Sequence, residues 1–215
     1  MRTRNILLTT LSAALLIAAT ANAAHVDMKN PKRAVGREDD IRVDAELTQD
    51  SITSHASVGV TYQVENLTQV SIALADKVSD TTYDPDTQTI TVSFGAEVPN
   101  GATMPHLVVI APGQKRTFCG GGTVNIVTPN VHGPWTPVPR FVQIKVTVLR
   151  DLKAFTGLID QQNRSTTAPA LNNQAFDQWV DNVSSVYLNS IPVRYEGNTR
   201  GTVDAESSAP TAPEL

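Results

Sequence analysis

Cysteine is almost absent: the 215 residues contain one, Cys119. No disulfide within the chain is possible, so the core has to hold itself together by burial. A single cysteine of this kind is expected to be a small buried apolar residue, with an intermolecular bridge or a metal ligand as its other uses. Catalytic signatures are missing as well. There is no G-x-S-x-G nucleophile elbow, no H-E-x-x-H and no phosphate-cradling glycine motif. The expectation is therefore a non-enzymatic protein without a cofactor, with an unrecognised hydrolase as an alternative. Basic residues are outnumbered, 17 Lys and Arg against 21 Asp and Glu, which leaves no nucleic-acid footprint. After the first 23 residues no apolar run is long enough to span a bilayer.

What is present begins with a signature of export. Arg2 and Arg4 precede an apolar run over 6–19, and Ala21-Asn22-Ala23 offers small residues before a cut. This is the three-part layout of a secretory signal peptide, and its run of roughly fourteen residues is shorter than the ~20 a spanning helix needs. Cleavage near Ala23 places the mature protein in the periplasm or outside the cell, with no membrane span. Residues 24–40 are polar, contain a Pro and a Gly, show no periodicity, and read as a flexible leader.

From residue 41 the dominant pattern has a period of two. Val142, Ile144, Val146 and Val148 alternate with Gln143, Lys145 and Thr147, and Val58, Val60, Tyr62 and Val64 alternate with Gly59, Thr61 and Gln63. Such alternation is a strand with one face in a core and one face wet. Further strands are expected over 41–48, 70–74, 90–94, 106–110, 116–119 and 123–127. Residues 76–88 read as a loop, and Gly120-Gly121-Gly122 as the stop of the sixth strand. About eight short strands with turns between them and no helical pattern predict an immunoglobulin-like antiparallel β-sandwich over 41–150, with a closed β-barrel as the alternative.

The pattern changes after 150. Residues 151–196 are expected as a helical extension, whose best helix covers 171–189. Ala175, Phe176, Trp179, Val180, Val183, Val186 and Tyr187 form its apolar stripe at three- and four-residue steps. Asn172 or Asn173 can cap it, and Pro192 prevents continuation. Residues 197–215 are rich in Ser, Thr, Ala, Pro and acid and are expected to be a disordered tail.

Four residues are candidates for binding a partner. Trp135 and His132 lie in the proline-rich segment 129–140, a stiff loop presenting an aromatic ring; Phe176 and Trp179 lie on the apolar stripe. An edge strand that accepts a partner's strand is a further route. If a metal is bound, His25, His106, Cys119 and His132 are its candidate ligands, and a periplasmic copper-binding protein is the second functional reading. Asn66, Asn163 and Asn182 each begin an N-x-[ST] sequon. Finally, Tyr187-Leu188-Asn189-Ser190-Ile191-Pro192 resembles the Y-L-N…I-P signature of periplasmic pilus chaperones. The resemblance covers these six residues and implies an immunoglobulin-like fold and an assembly role; it carries over no binding residue. The leading expectation is an exported, periplasmic accessory protein that binds another envelope or secreted protein.

Overall fold

The computed structural model describes residues 31–53, 57–99, 101–124 and 138–196. The expected signal peptide, the tail, His25, His132 and Trp135 lie outside the described residues. The chain is mainly β. In order it forms β1 (Arg33–Glu38), β2 (Ile41–Leu47), β3 (Ser51–Thr53), β4 (Ser57–Asn66), β5 (Ile72–Ala75), β6 (Ser79–Asp84), β7 (Thr89–Phe94), β8 (Leu107–Ile110), β9 (Lys115–Thr123) and β10 (Phe141–Leu149). A 3-10 turn (Lys153–Phe155), α1 (Thr156–Arg164) and α2 (Asn173–Asn182) follow, then β11 (Val183–Tyr187), β12 (Ile191–Pro192) and β13 (Arg194–Glu196).

The strands make a four-stranded sheet, β1-β2-β4-β9, and a larger sheet, β6-β7-β10-β5-β8, to which β11 and β12 add beside β10. β3 and β13 pair separately. Most ladders are antiparallel; β10 with β7 and β13 with β3 are parallel. Among the described residues no sheet closes on itself, so the barrel alternative fails.

The alternating residues explain why the two sheets face each other. Val43, Val60, Tyr62 and Val64 of the first and Val92, Phe94, Ile144 and Val146 of the second belong to one buried cluster. The rings of Tyr62 and Phe94 stack across it with centroids 4.4 Å apart. The larger sheet is buried on its second face too. Ile72 and Leu74 of β5 enter the shared core, while Ala73 and Ala75 enter a second cluster with Leu107, Leu149, Phe155 and Trp179. A strand covered on both faces loses its alternation, which is why β5 reads IALA and is buried throughout.

The structure corrects several expectations. The leader contains a strand, β1, paired along its whole length with β2. The expected loop 76–88 holds β6, a strand of SDTTYD with no apolar alternation because it lies at a sheet edge. Of the expected strand 123–127, Thr123 is the end of β9 and Val124 is buried; 125–127 lie outside the described residues. The helix expected to reach 189 ends at Asn182, where the chain turns extended and pairs with β10 from Val183 onward. Ladder bonds to β10 override helical spacing there, and the expected helical extension carries three strands as well as its helices. Asn172 caps α2 as expected, its side chain accepting from the Ala175 N–H at 2.7 Å.

The triple glycine does not stop its strand. β9 runs through it to Thr123, paired with β4. Gly120 and Gly122 face the second sheet at a point where the sheets nearly touch. A Cβ on Gly120 would lie 2.7 Å from the Phe94 ring, and one on Gly122 would lie 1.8 Å from Thr81 Oγ1. The glycines are an approach surface. Gly122→Val is expected to cost about 1–3 kcal/mol through overpacking. Urea unfolding would check this, and an unchanged midpoint would mean the sheets are not held this close.

Candidate functional site

The nominated residues do not converge. Trp179 is buried: its indole N–H donates to the Ala96 carbonyl at 3.0 Å, and its ring meets Phe155 edge-on with centroids 5.7 Å apart. It is a core residue and cannot contact a partner. Phe176, on the same helix, is half-buried. His106 is partly exposed, and its Nδ1 lies 2.7 Å from Asp76 Oδ1, a single hydrogen-bond contact at the β5–β8 end of the sheet. Cys119 is exposed, contrary to expectation. It stands opposite Thr61 on the outer face of the first sheet, with its sulfur 3.7 Å from the Thr61 hydroxyl. Among the described residues no three His, Cys, Asp or Glu side chains gather closely enough to hold a metal. Nor is any helix there long and apolar enough to cross a membrane. The Y-L-N…I-P fragment supplies the end of β11 and all of β12, both paired with β10.

Two polar features are built, a cleft and a cluster that satisfies itself. A cleft of about 520 Å³ lies between α2 and the 3-10 turn, lined by Asp151, Lys153, Asn172 and Gln178 among others. On the outer face of the larger sheet, Lys145 pairs with Glu97 and lies 5.3 Å from the centre of the Tyr187 ring. Ser185 donates to Glu97 at 3.1 Å, and the hydroxyls of Ser185 and buried Thr147 are 2.8 Å apart. The hydrogen bond from Lys145 holds the Glu97 carboxyl below its ordinary range, against the effect of burial. Burial lowers the Lys145 value, but Glu97 and Tyr187 outweigh it and the net direction is upward. Both shifts favour the ion pair. The Glu97 contribution is present above the unfolded carboxyl value and lost as pH falls through the folded one. Lys145's contribution is present below the unfolded lysine value and lost as pH rises through its folded one. Glu97→Gln is expected to cost under about 1 kcal/mol at neutral pH, because the carboxylate is half exposed. It should also remove part of the stability loss expected as pH falls below the ordinary carboxyl range. Urea titrations at several pH values would check both.

The feature that is not self-satisfied is a sheet edge. A strand at the rim of a sheet presents a row of N–H and C=O groups, and proteins normally block it. Here two rims each carry a side-chain plug. At β8, the Gln162 side chain donates to the Leu107 carbonyl at 3.0 Å and accepts from its N–H at 2.9 Å. At β6, the outward Thr81 N–H is taken by Asp80 Oδ1 at 2.8 Å. β1 lays its face, not its rim, on β11, with Gly36 so near that a Cβ would lie 2.6 Å from the Tyr187 carbonyl oxygen.

β9 differs. The Gly59 carbonyl accepts from the Thr48 N–H at 3.0 Å, so Gly59 points toward β2 and away from its partner Gly121. Gly121 therefore points outward, and its carbonyl accepts from the Ser79 hydroxyl at 3.0 Å. The alternation of an antiparallel ladder then turns the N–H and C=O of Lys115, Thr117 and Cys119 to the same open side. Among the described residues no strand and no side chain covers those three. Their outer-face side chains are engaged within the sheet: Lys115 pairs with Glu65 at 3.1 Å, and Thr117 accepts from Gln63 at 3.3 Å. Sequence reasoning found the strand and its cysteine but not the rim, because which strand ends a sheet depends on distant pairings.

No family model, curated protein or solved structure matches the chain.

Proposed function

We propose that the chain is an exported, periplasmic, non-enzymatic module with an immunoglobulin-like sandwich, and that it binds another protein by taking an extended segment along β9. The observation that carries this is the rim of β9, which presents Lys115, Thr117 and Cys119 open, while β6 and β8 each carry a side-chain plug. Main-chain bonds along such a rim supply affinity with little demand on sequence. The signal-peptide layout of residues 1–23 supports the export half of the reading.

Two measurements test it. In the free protein, amide exchange over β9 should alternate, fast at Lys115, Thr117 and Cys119 and slow at Arg116 and Phe118, whose amides face β4. Short peptides selected against the protein from an unbiased displayed library should slow the fast set. Thr117→Pro removes one outward N–H and no main-chain bond to β4, giving up only the exposed side-chain bond from Gln63, and edge strands tolerate proline. It should leave the melting temperature nearly unchanged and weaken those peptides about tenfold or more. Uniformly slow exchange along β9, or equal binding by Thr117→Pro, would remove the proposal.

A further inference from the structure

We infer that the segment received by β9 is acidic and patterned, with an Asp or Glu two residues from a large apolar side chain. This rests on the reading of β9 as the receiving rim. The register puts Arg116 opposite Val64 and Phe118 opposite Tyr62, so both side chains lie on the core-side face of β9. Phe118 stacks on Tyr62 with centroids 5.3 Å apart and is half-buried; one flank faces the open rim. In an added strand the side chain level with Phe118 stands about 5 Å away and covers that flank if it is large and apolar.

The next side chain on the same face of the added strand, two residues along, comes level with Arg116. Arg116 is exposed, and among the described residues it has no ion pair, whereas its neighbour Lys115 is held by Glu65. A guanidinium at this position is matched by a carboxylate, which can accept two parallel hydrogen bonds from it. The reach of the segment is also set. Ser79 occupies the Gly121 carbonyl, so an added strand extends as far as Cys119 and stops. The receiving stretch from Lys115 to Cys119 is about 17 Å long. A second copy of this chain fits less well. Two β9 rims would bring Lys115 and Arg116 of both copies to one seam, and residues 115–119 include no acid.

The test uses three synthetic peptides that share an alternating apolar frame and differ at one position, Asp, Asn or Lys. Binding to the full mature protein and to its Arg116→Glu and Thr117→Pro variants is measured by fluorescence anisotropy. The Asp peptide should bind the unaltered protein about tenfold more tightly than the Asn peptide and more tightly still than the Lys peptide. Arg116→Glu should invert the order, and Thr117→Pro should weaken all three. Equal binding of the three peptides, still lost in Thr117→Pro, would overturn the acidic preference and leave the rim reading standing. Equal binding to Thr117→Pro would overturn both. No peptide binding, with a dimer in sedimentation that Thr117→Pro dissociates, would make a second copy the occupant and overturn the inference. Neither binding nor a dimer would overturn both.

Discussion

Asn66→Leu is expected to lower the unfolding free energy by about 3–5 kcal/mol, since each buried polar group left without a partner costs about 1–3. Asn66 is fully buried at the end of β4. Its amide nitrogen donates to the carbonyls of Val70 at 2.8 Å and Ile110 at 2.9 Å. Its side-chain oxygen accepts from the Thr68 N–H at 3.0 Å and the Thr68 hydroxyl at 2.7 Å. Its backbone bonds reach the turn before β9: Asn66 N–H donates to Gln114 and its carbonyl accepts from Gly113. One side chain thus ties the end of β4 to the 66–70 loop and the end of β8, next to the turn that sets the register of β9. Leucine keeps the branching, is larger, and restores none of the four side-chain bonds. Asn66→Asp should be comparably severe at neutral pH, because a carboxylate would then face two carbonyl oxygens. Thr68→Val, which removes only the hydroxyl bonds, should cost about 1 kcal/mol. Urea unfolding of the three variants is the check; a loss under about 1 kcal/mol for Asn66→Leu would show that this network does not organise the turns. The same geometry bears on the sequon at Asn66. Both hydrogens of its amide are committed inside the fold, so a sugar cannot be accommodated there without unmaking it.

How far residues disclose structure here follows from where each strand lies. The runs 41–47, 58–64, 90–94 and 141–149 are legible because each has one face in the shared core, so their apolar residues alternate. β6 is not legible: at the rim of its sheet, with Ser79 and Thr81 on its core-side face, it has no apolar pattern to display. Val183 and Val186 fit helical steps, yet only the presence of β10 beside them makes them strand. The triple glycine looks like a terminator in isolation, and its use as an approach surface needs Phe94 and Thr81 in place. The candidate site is less legible still. Arg116, Phe118 and Cys119 were readable as a short strand, but openness is a property of what lies beside a strand. The absence of a plug at β9 acquires meaning only against Gln162 at β8 and Asp80 at β6.

Trp179→Ala is the second change expected to be severe, by about 3–5 kcal/mol for a large buried aromatic. The side chain is 1% exposed and sits at the centre of the cluster that includes Ala73, Leu107, Leu149, Phe155 and Leu171. Its removal empties that space and leaves the Ala96 carbonyl without the indole donor. The smaller change Trp179→Phe keeps most of the packing and loses the donor, and should cost about 1–3 kcal/mol. The loss should also be local in character. This cluster covers the outer face of β5 and β8, while the core between the sheets is a separate set of residues. In Trp179→Ala the amides of α1 and α2 should therefore exchange faster than in the unaltered protein, while those of β2, β4 and β10 stay comparatively protected. The rim of β9 belongs to the first sheet, so peptides that bind it should retain their affinity for Trp179→Ala wherever the protein remains folded. Exchange that rises equally in both sheets would mean the helices and the facing sheets unfold as one unit. Loss of peptide binding with β4 still protected would tie the receiving rim to the helical layer.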